Sequence, residues 1–107
     1  MQFKNLSKSN QTLITLCRDI FFGYLTDLKV VDGEIHTTPQ TRKCTTVKLD
    51  RASADSRPGA TGDFTLSPSQ ELLMNEIANR RNVRIVSIDI RDGRPANVSF
   101  EEAVAAF

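Results

Sequence analysis

Apolar residues recur at three- and four-residue spacing at Leu13, Leu16, Cys17, Ile20 and Phe21, which predicts an amphipathic helix over 10–22. Gly23 is its expected stop, because glycine accepts the left-handed conformation at a helix end. A second helix opens at Ser67-Pro68-Ser69-Gln70, with serine as N-cap, proline at the first helical position and glutamine at the capping-box site. Its apolar face is expected at Leu72, Leu73, Met74 and Ile77. After each helix the pattern turns β-branched and alternating, predicting strands over 24–31 and 83–91. In the second strand Val86, Ile88 and Ile90 form the expected inner face, with Ser87, Asp89 and Arg91 on the other. Each strand ends at Asp-Gly, the strongest short-range hairpin signal, so return strands are expected over 34–38 and 94–100. A further strand is expected over 44–49, and Ser99-Phe100-Glu101-Glu102 reads as a capping box that starts a terminal helix over 100–106.

The two halves read alike. Displacing the chain by 60 positions brings Asp32-Gly33 onto Asp92-Gly93. The same shift puts Leu25, Leu28 and Val30 on Ile85, Ile88 and Ile90, and Leu13, Ile14 and Cys17 on Leu73, Met74 and Ile77. The expected fold is therefore α+β: two helix–β-hairpin units sharing an antiparallel sheet, helices packed on one face, and a short C-terminal helix. One domain spans 1–107, as an internal pseudo-repeat of 10–49 and 67–107 joined by a connecting loop over 50–66. That loop is rich in Ala, Ser, Gly, Asp and Pro, and Phe64 and Leu66 are expected to pin its end to the core. A two-residue turn at Asp32-Gly33 pairs Val30 with Ile35. At Asp92-Gly93 the same turn pairs Ile90 with Pro95 and Ile88 with Asn97.

Composition narrows the chemistry. The 107 residues are 39% apolar, enough for one modest core. Fourteen basic against 13 acidic residues give a net charge of +1, which carries no general attraction to nucleic acid or anionic membrane. The polar N-terminus lacks the apolar core of a signal peptide, so the expected location is cytoplasmic. Cys17 and Cys44 have no metal-ligand or Cys-x-x-Cys spacing and are expected as free thiols. His36 is the only histidine, and one histidine with two distant cysteines does not assemble a zinc site. A Cys44–His36 nucleophile pair across adjacent strands remains conceivable but lacks an orienting third group. Asp32 and Asp92 suit turns, and Glu101 and Glu102 suit a helix start. No catalytic residue, metal site or cofactor is expected.

A resemblance supports the order of elements. The segments 17–25, 28–34, 63–66 and 98–103 (CRDIFFGYL, LKVVDGE, DFTL and VSFEEA) resemble a family of short uncharacterised bacterial proteins. The helix, Phe-Gly, strand and Asp-Gly hairpin of the first half are also similar to the YezD-like domain of unknown function. That family's proline-rich stretch after the first hairpin is reduced here to Pro39. The resemblance implies a bacterial protein and no assigned activity.

The remaining functional signal is basic. Arg42, Lys43, Lys48, Arg51 and Arg57 outnumber Asp50 and Asp55, and Arg80, Arg81, Arg84, Arg91 and Arg94 outnumber Asp89 and Asp92. Arg42, Lys43, Lys48, Arg80, Arg81 and Arg84 are the candidate contacts to nucleic acid or to a protein partner. The aromatic residues expected between basic positions in a single-strand binder are absent, since there is no tryptophan and one tyrosine. The leading reading is a non-catalytic protein-interaction module that forms a homodimer. Nucleic-acid binding is the alternative, and an enzyme with a pocket at His36 or Cys44 is a third reading.

Overall fold

The structure is a computed structural model and describes residues 1–47, 49 and 64–104. A short 3₁₀ turn (Phe3–Asn5) precedes α1 (Lys8–Ile20), β1 (Gly23–Val31) and β2 (Glu34–Thr45), and then α2 (Pro68–Arg80), β3 (Val83–Arg91) and β4 (Arg94–Glu101) follow. The class is α+β, with a four-stranded sheet in the order β2-β1-β3-β4 and every neighbouring pair antiparallel. The bounds of α2 and β3 are those of α1 and β1 displaced by 60 positions.

Helix starts follow from their caps. Ser7 accepts from Asn10 N–H, so α1 begins two residues earlier than its apolar stripe suggests. Ser67 and Gln70 close a reciprocal capping box at α2, with Pro68 at the first helical position. The helix stops differ from expectation. Phe21, not Gly23, carries the positive φ of 65° that ends α1, and Arg81 at φ 62° ends α2. In both corners a three-residue γ-turn forms: Phe22 N–H donates to Ile20 C=O at 2.7 Å, and Asn82 N–H donates to Arg80 C=O at 2.6 Å. Gly23 is needed for a different reason, since a Cβ there would lie 1.9 Å from the Cys44 carbonyl oxygen.

The core is one cluster in which Leu13, Ile14, Cys17 and Ile20 of α1 and Leu73, Met74 and Ile77 of α2 meet one face of the sheet. From the central strands come Leu25, Leu28 and Val30, with Val83, Ile85, Ile88 and Ile90. Leu72 does not join them and is 62% exposed, because it falls on the outer side of α2. Val86 also leaves the expected inner set. Asp27 takes φ 59° where β1 is irregular, and β3 breaks its ladder with β4 at Val86, so both strands change sides at mid-length. Val83 and Ile85 therefore point inward on one side of the break and Ile88 and Ile90 on the other, with Val86 exposed.

Both hairpins turn at Asp-Gly with positive φ at each central residue (51° and 76°, then 54° and 75°), the type I′ geometry that matches strand twist. Val30 faces Ile35 as expected. In the second hairpin the two-residue turn holds, with Ile90 opposite Pro95, but a bulge after Pro95 brings Ile88 opposite Val98 rather than Asn97. The return strands are longer than the pattern implies. β2 continues through Pro39 to Thr45, so Cys44 lies on the first return strand and not on a separate one. β4 runs to Glu101, because Ile85–Phe100 and Arg84–Glu101 pairing extends the ladder where a helix start was expected. Residues 102–104 form no helix; residues 105–107, with Phe107, the loop over 50–63, and Lys48 lie outside the described residues. Phe64 stacks on Phe3 at 4.8 Å, Thr65 bridges to Gln2 and Leu66 is buried, so the end of the connection is pinned as expected.

Candidate interaction surface

Covering one sheet face with helices leaves the other in solvent, and strand pairing arranges its side chains in rows. One row runs Cys44, Tyr24, Asp89 and Asn97; the next Arg42, Thr26, Ser87 and Ser99; the third His36, Lys29, Arg84 and Glu101. Tyr24 is 44% exposed and Val86 38%. The Tyr24 hydroxyl is hydrogen-bonded with Cys44, which raises its pKa above the usual tyrosine range. Cations and carboxylates are interspersed across the rows.

Near the middle of this face the basic charge is already partnered. Arg84 binds the Asp27 carboxylate through Nη2 and reaches both oxygens of Glu101 at 3.2 Å through Nη1. Asp27, then Glu101, raises the Arg84 pKa further. The bulge that presents Asp27 is fixed from β2, where the hydroxyls of Thr38 and Thr41 both donate to the Asp27 carbonyl.

The structure does not gather the basic candidates into one patch. Arg42 and Arg84 share the open face, and Arg42 Nη1 is turned onto the carbonyls of Pro39 and Thr41. Lys43 stands opposite the buried Leu25, so it belongs to the other side of the sheet at its edge. Arg80 sits at the end of α2, over the Phe100 ring and paired with Glu76 and Glu102. Arg81 occupies the γ-turn, where its carbonyl accepts the Gly33 N–H of the first hairpin at 2.9 Å. The second hairpin does the same across the molecule, Gly93 N–H donating to Phe21 C=O at 2.9 Å. The role of Phe21 and Arg81 is therefore conformational as well as chemical, and only the paired positive φ values reveal it.

The remaining chemistry is dispersed. His36 and Cys44 lie on the same strand, opposite Lys29 and Tyr24, two rows apart and out of hydrogen-bond reach of each other. A groove of about 220 Å³ beside β2 is lined by Leu13, Leu16, Leu28 and Ile35 with Ser9, Thr12, His36 and Thr37 at its sides; Cys44 is not part of it. Cys17 is fully buried, and burial pushes its thiol up to about 12. Both cysteines are free. Among the described residues no His, Cys, Asp and Glu side chains cluster as metal ligands, and no helix is long and apolar enough to cross a membrane. Compared with described protein families, curated proteins and solved structures, the chain matches none.

Proposed function

We propose that this chain is a non-catalytic interaction module, an internal duplication of one helix–hairpin unit, that pairs with a second copy through its open sheet face. The duplication is supported by element bounds that coincide at a displacement of 60 positions and by crossed contacts between each hairpin tip and the other half's helix end. The central pairing is itself two-fold: Gly23 faces Ile90 while Val30 faces Val83, the same pair of positions exchanged between halves.

The observation that carries the pairing is the uncovered face, with Tyr24, Val31 and Val86 all more than a third exposed. It carries three carboxylates (Asp27, Asp89 and Glu101) beside four cations (Lys29, Arg42, Arg84 and Arg91). Arg84 is neutralised within the chain by Asp27 and Glu101, so no strong single-sign charge opposes a second copy. Four strands at about 4.8 Å spacing and about eight residues at about 3.3 Å rise cover roughly 500 Å². Two such faces bury about 1,000 Å², the lower bound of a specific interface. The predicted assembly is a bacterial, cytoplasmic homodimer. Nucleic-acid binding through Arg42, Lys43, Lys48, Arg80, Arg81 and Arg84 is the weaker reading, because Arg80 and Arg84 are already ion-paired within the chain.

Sedimentation across micromolar to millimolar concentration tests the proposal. Wild type sediments as a dimer and Val86→Glu, which sets like charges near the centre of the interface, as a monomer with unchanged far-UV circular dichroism. A wild-type monomer at millimolar concentration, or a dimer that survives Val86→Glu, overturns it.

A further inference from the structure

A cavity of about 180 Å³ lies where the start of α2, the end of α1 and the second hairpin converge. It is lined by Arg18, Phe64, Thr65, Ser67, Gln70, Asp92, Gly93 and Arg94, and its chemistry comes mainly from Arg18, Gln70 and Arg94. Arg18 is held with its guanidinium 4.4 Å above the Phe64 ring, a stacking that leaves the in-plane N–H donors free. Neither Arg18 nor Arg94 has an ion-pair partner among the described residues. Gln70 is 96% buried (4% exposed), the one buried polar residue described. Its Oε1 accepts from Ser67 N–H at 2.8 Å, while its Nε2 makes no hydrogen bond among the described residues and is not fully buried, and Gln70 is part of the cavity's lining. The positive end of the 13-residue α2 points the same way.

The positions 60 residues earlier show what a closed version looks like. There Asn10 spends its whole amide on the first hairpin, Nδ2 donating to Gly33 C=O at 3.3 Å and Oδ1 accepting from Ile35 N–H at 3.0 Å. On the second hairpin the residue matching Ile35 is Pro95, which has no N–H to give. Ala78 stands where Arg18 does, and Glu34 where Arg94 does. One helix–hairpin junction is thus sealed by an asparagine, and the other is left open, lined by two unpaired arginines and a free amide.

We infer that this junction is a binding site for a small oxyanion, a phosphate or carboxylate group held by the guanidinium groups of Arg18 and Arg94 and by the Gln70 amide. Bidentate guanidinium donors suit planar or tetrahedral oxygen anions. Asp92 is the one carboxylate in the lining, and its repulsion disfavours a highly charged polyanion. The site does not rest on the dimer: Arg18 and Gln70 stand on the helices, and only Arg94, opposite Arg91 at the tip of the second hairpin, belongs to the sheet.

The test is a titration of the full chain with sodium phosphate and, separately, sodium acetate at constant ionic strength. Backbone and side-chain ¹H–¹⁵N resonances are followed by NMR. Saturable shifts of the Gln70 side-chain amide and of the Arg18 and Arg94 Nε–H signals are expected with at least one anion. Saturation by phosphate alone assigns a phosphate group, and saturation by acetate alone a carboxylate. Arg18→Gln and Arg94→Gln, each with an unchanged amide spectrum elsewhere, weaken binding at least tenfold, and Lys29→Gln on the open face leaves it within twofold. Linear, unsaturable shifts with both anions, or equal weakening by Lys29→Gln, overturn the inference.

Discussion

Gly23→Ala offers the sharpest check on how the first half is built. The added methyl would lie 1.9 Å from the Cys44 carbonyl oxygen, and that neighbour is backbone, so no side chain can swing aside. Ordinary contact needs more than about 3.2 Å, so β1 and β2 must part by over about 1 Å at this end. Separation weakens the Gly23–Thr45 and Tyr24–Cys44 pairing and the hydrogen bond from Thr46 N–H to Phe22 C=O at 2.8 Å. Two lost backbone hydrogen bonds cost about 1–3 kcal/mol. The φ of 151° adds strain for a residue with a Cβ, on the order of 1 kcal/mol, and the stiffer unfolded chain returns about 0.4–1 kcal/mol. The net expectation is a destabilisation of about 2–3 kcal/mol, or a fall in Tm of about 10–15 °C for a chain of this size. Gly33→Ala is the comparison, since the nearest atom to its Cβ is 3.7 Å away and only its φ of 76° is unfavourable. It costs about 1 kcal/mol or less. Urea unfolding followed by circular dichroism measures both. A Gly23→Ala loss no larger than that of Gly33→Ala would refute the close approach of the two strands.

Two further outcomes follow from buried chemistry and backbone strain. Cys17 is expected to resist a thiol reagent at pH 8 in the folded chain while Cys44 reacts, because burial pushes the Cys17 pKa up to about 12. The folded state holds that proton where the unfolded thiol loses it, so stability is level below about pH 8.5–9 and falls between there and about 12, by up to about 1.4 kcal/mol per pH unit. Cys17→Ala abolishes that part of the alkaline slope, and a slope unchanged in the variant would contradict the assignment. Arg81→Gly relieves a non-glycine residue at φ 62° and stabilises the chain by about 0.5–1 kcal/mol despite glycine's freer unfolded state, as read by the urea midpoint. A lower midpoint would show that the γ-turn is not strained.

Much of this architecture follows from local pattern. Helix periodicity, the Ser67 capping box and the two Asp-Gly corners each act over a few residues, so α1, α2, the central strands and both turns were readable from the chain alone. The six residues aligned at 60-position spacing on β1 and β3 are all buried. What the pattern could not supply were outcomes set by neighbours distant in sequence. Phe21 and Arg81 accept a costly φ because their carbonyls receive the opposite hairpin, and β4 continues past Ser99 because Arg84 and Ile85 wait beside it. Val86 turns outward because both central strands change sides where they cross, a pairing effect that alternation within one strand does not encode. The basic residues separate for the same reason: charge counted along a sequence says nothing about which face or corner receives it. The open junction around Arg18, Gln70 and Arg94 joins positions up to 76 apart (18 to 94), and only the folded chain brings them to one cavity. Short-range sterics and hydrogen bonding wrote the elements, and long-range packing decided which of their polar groups were left without a partner.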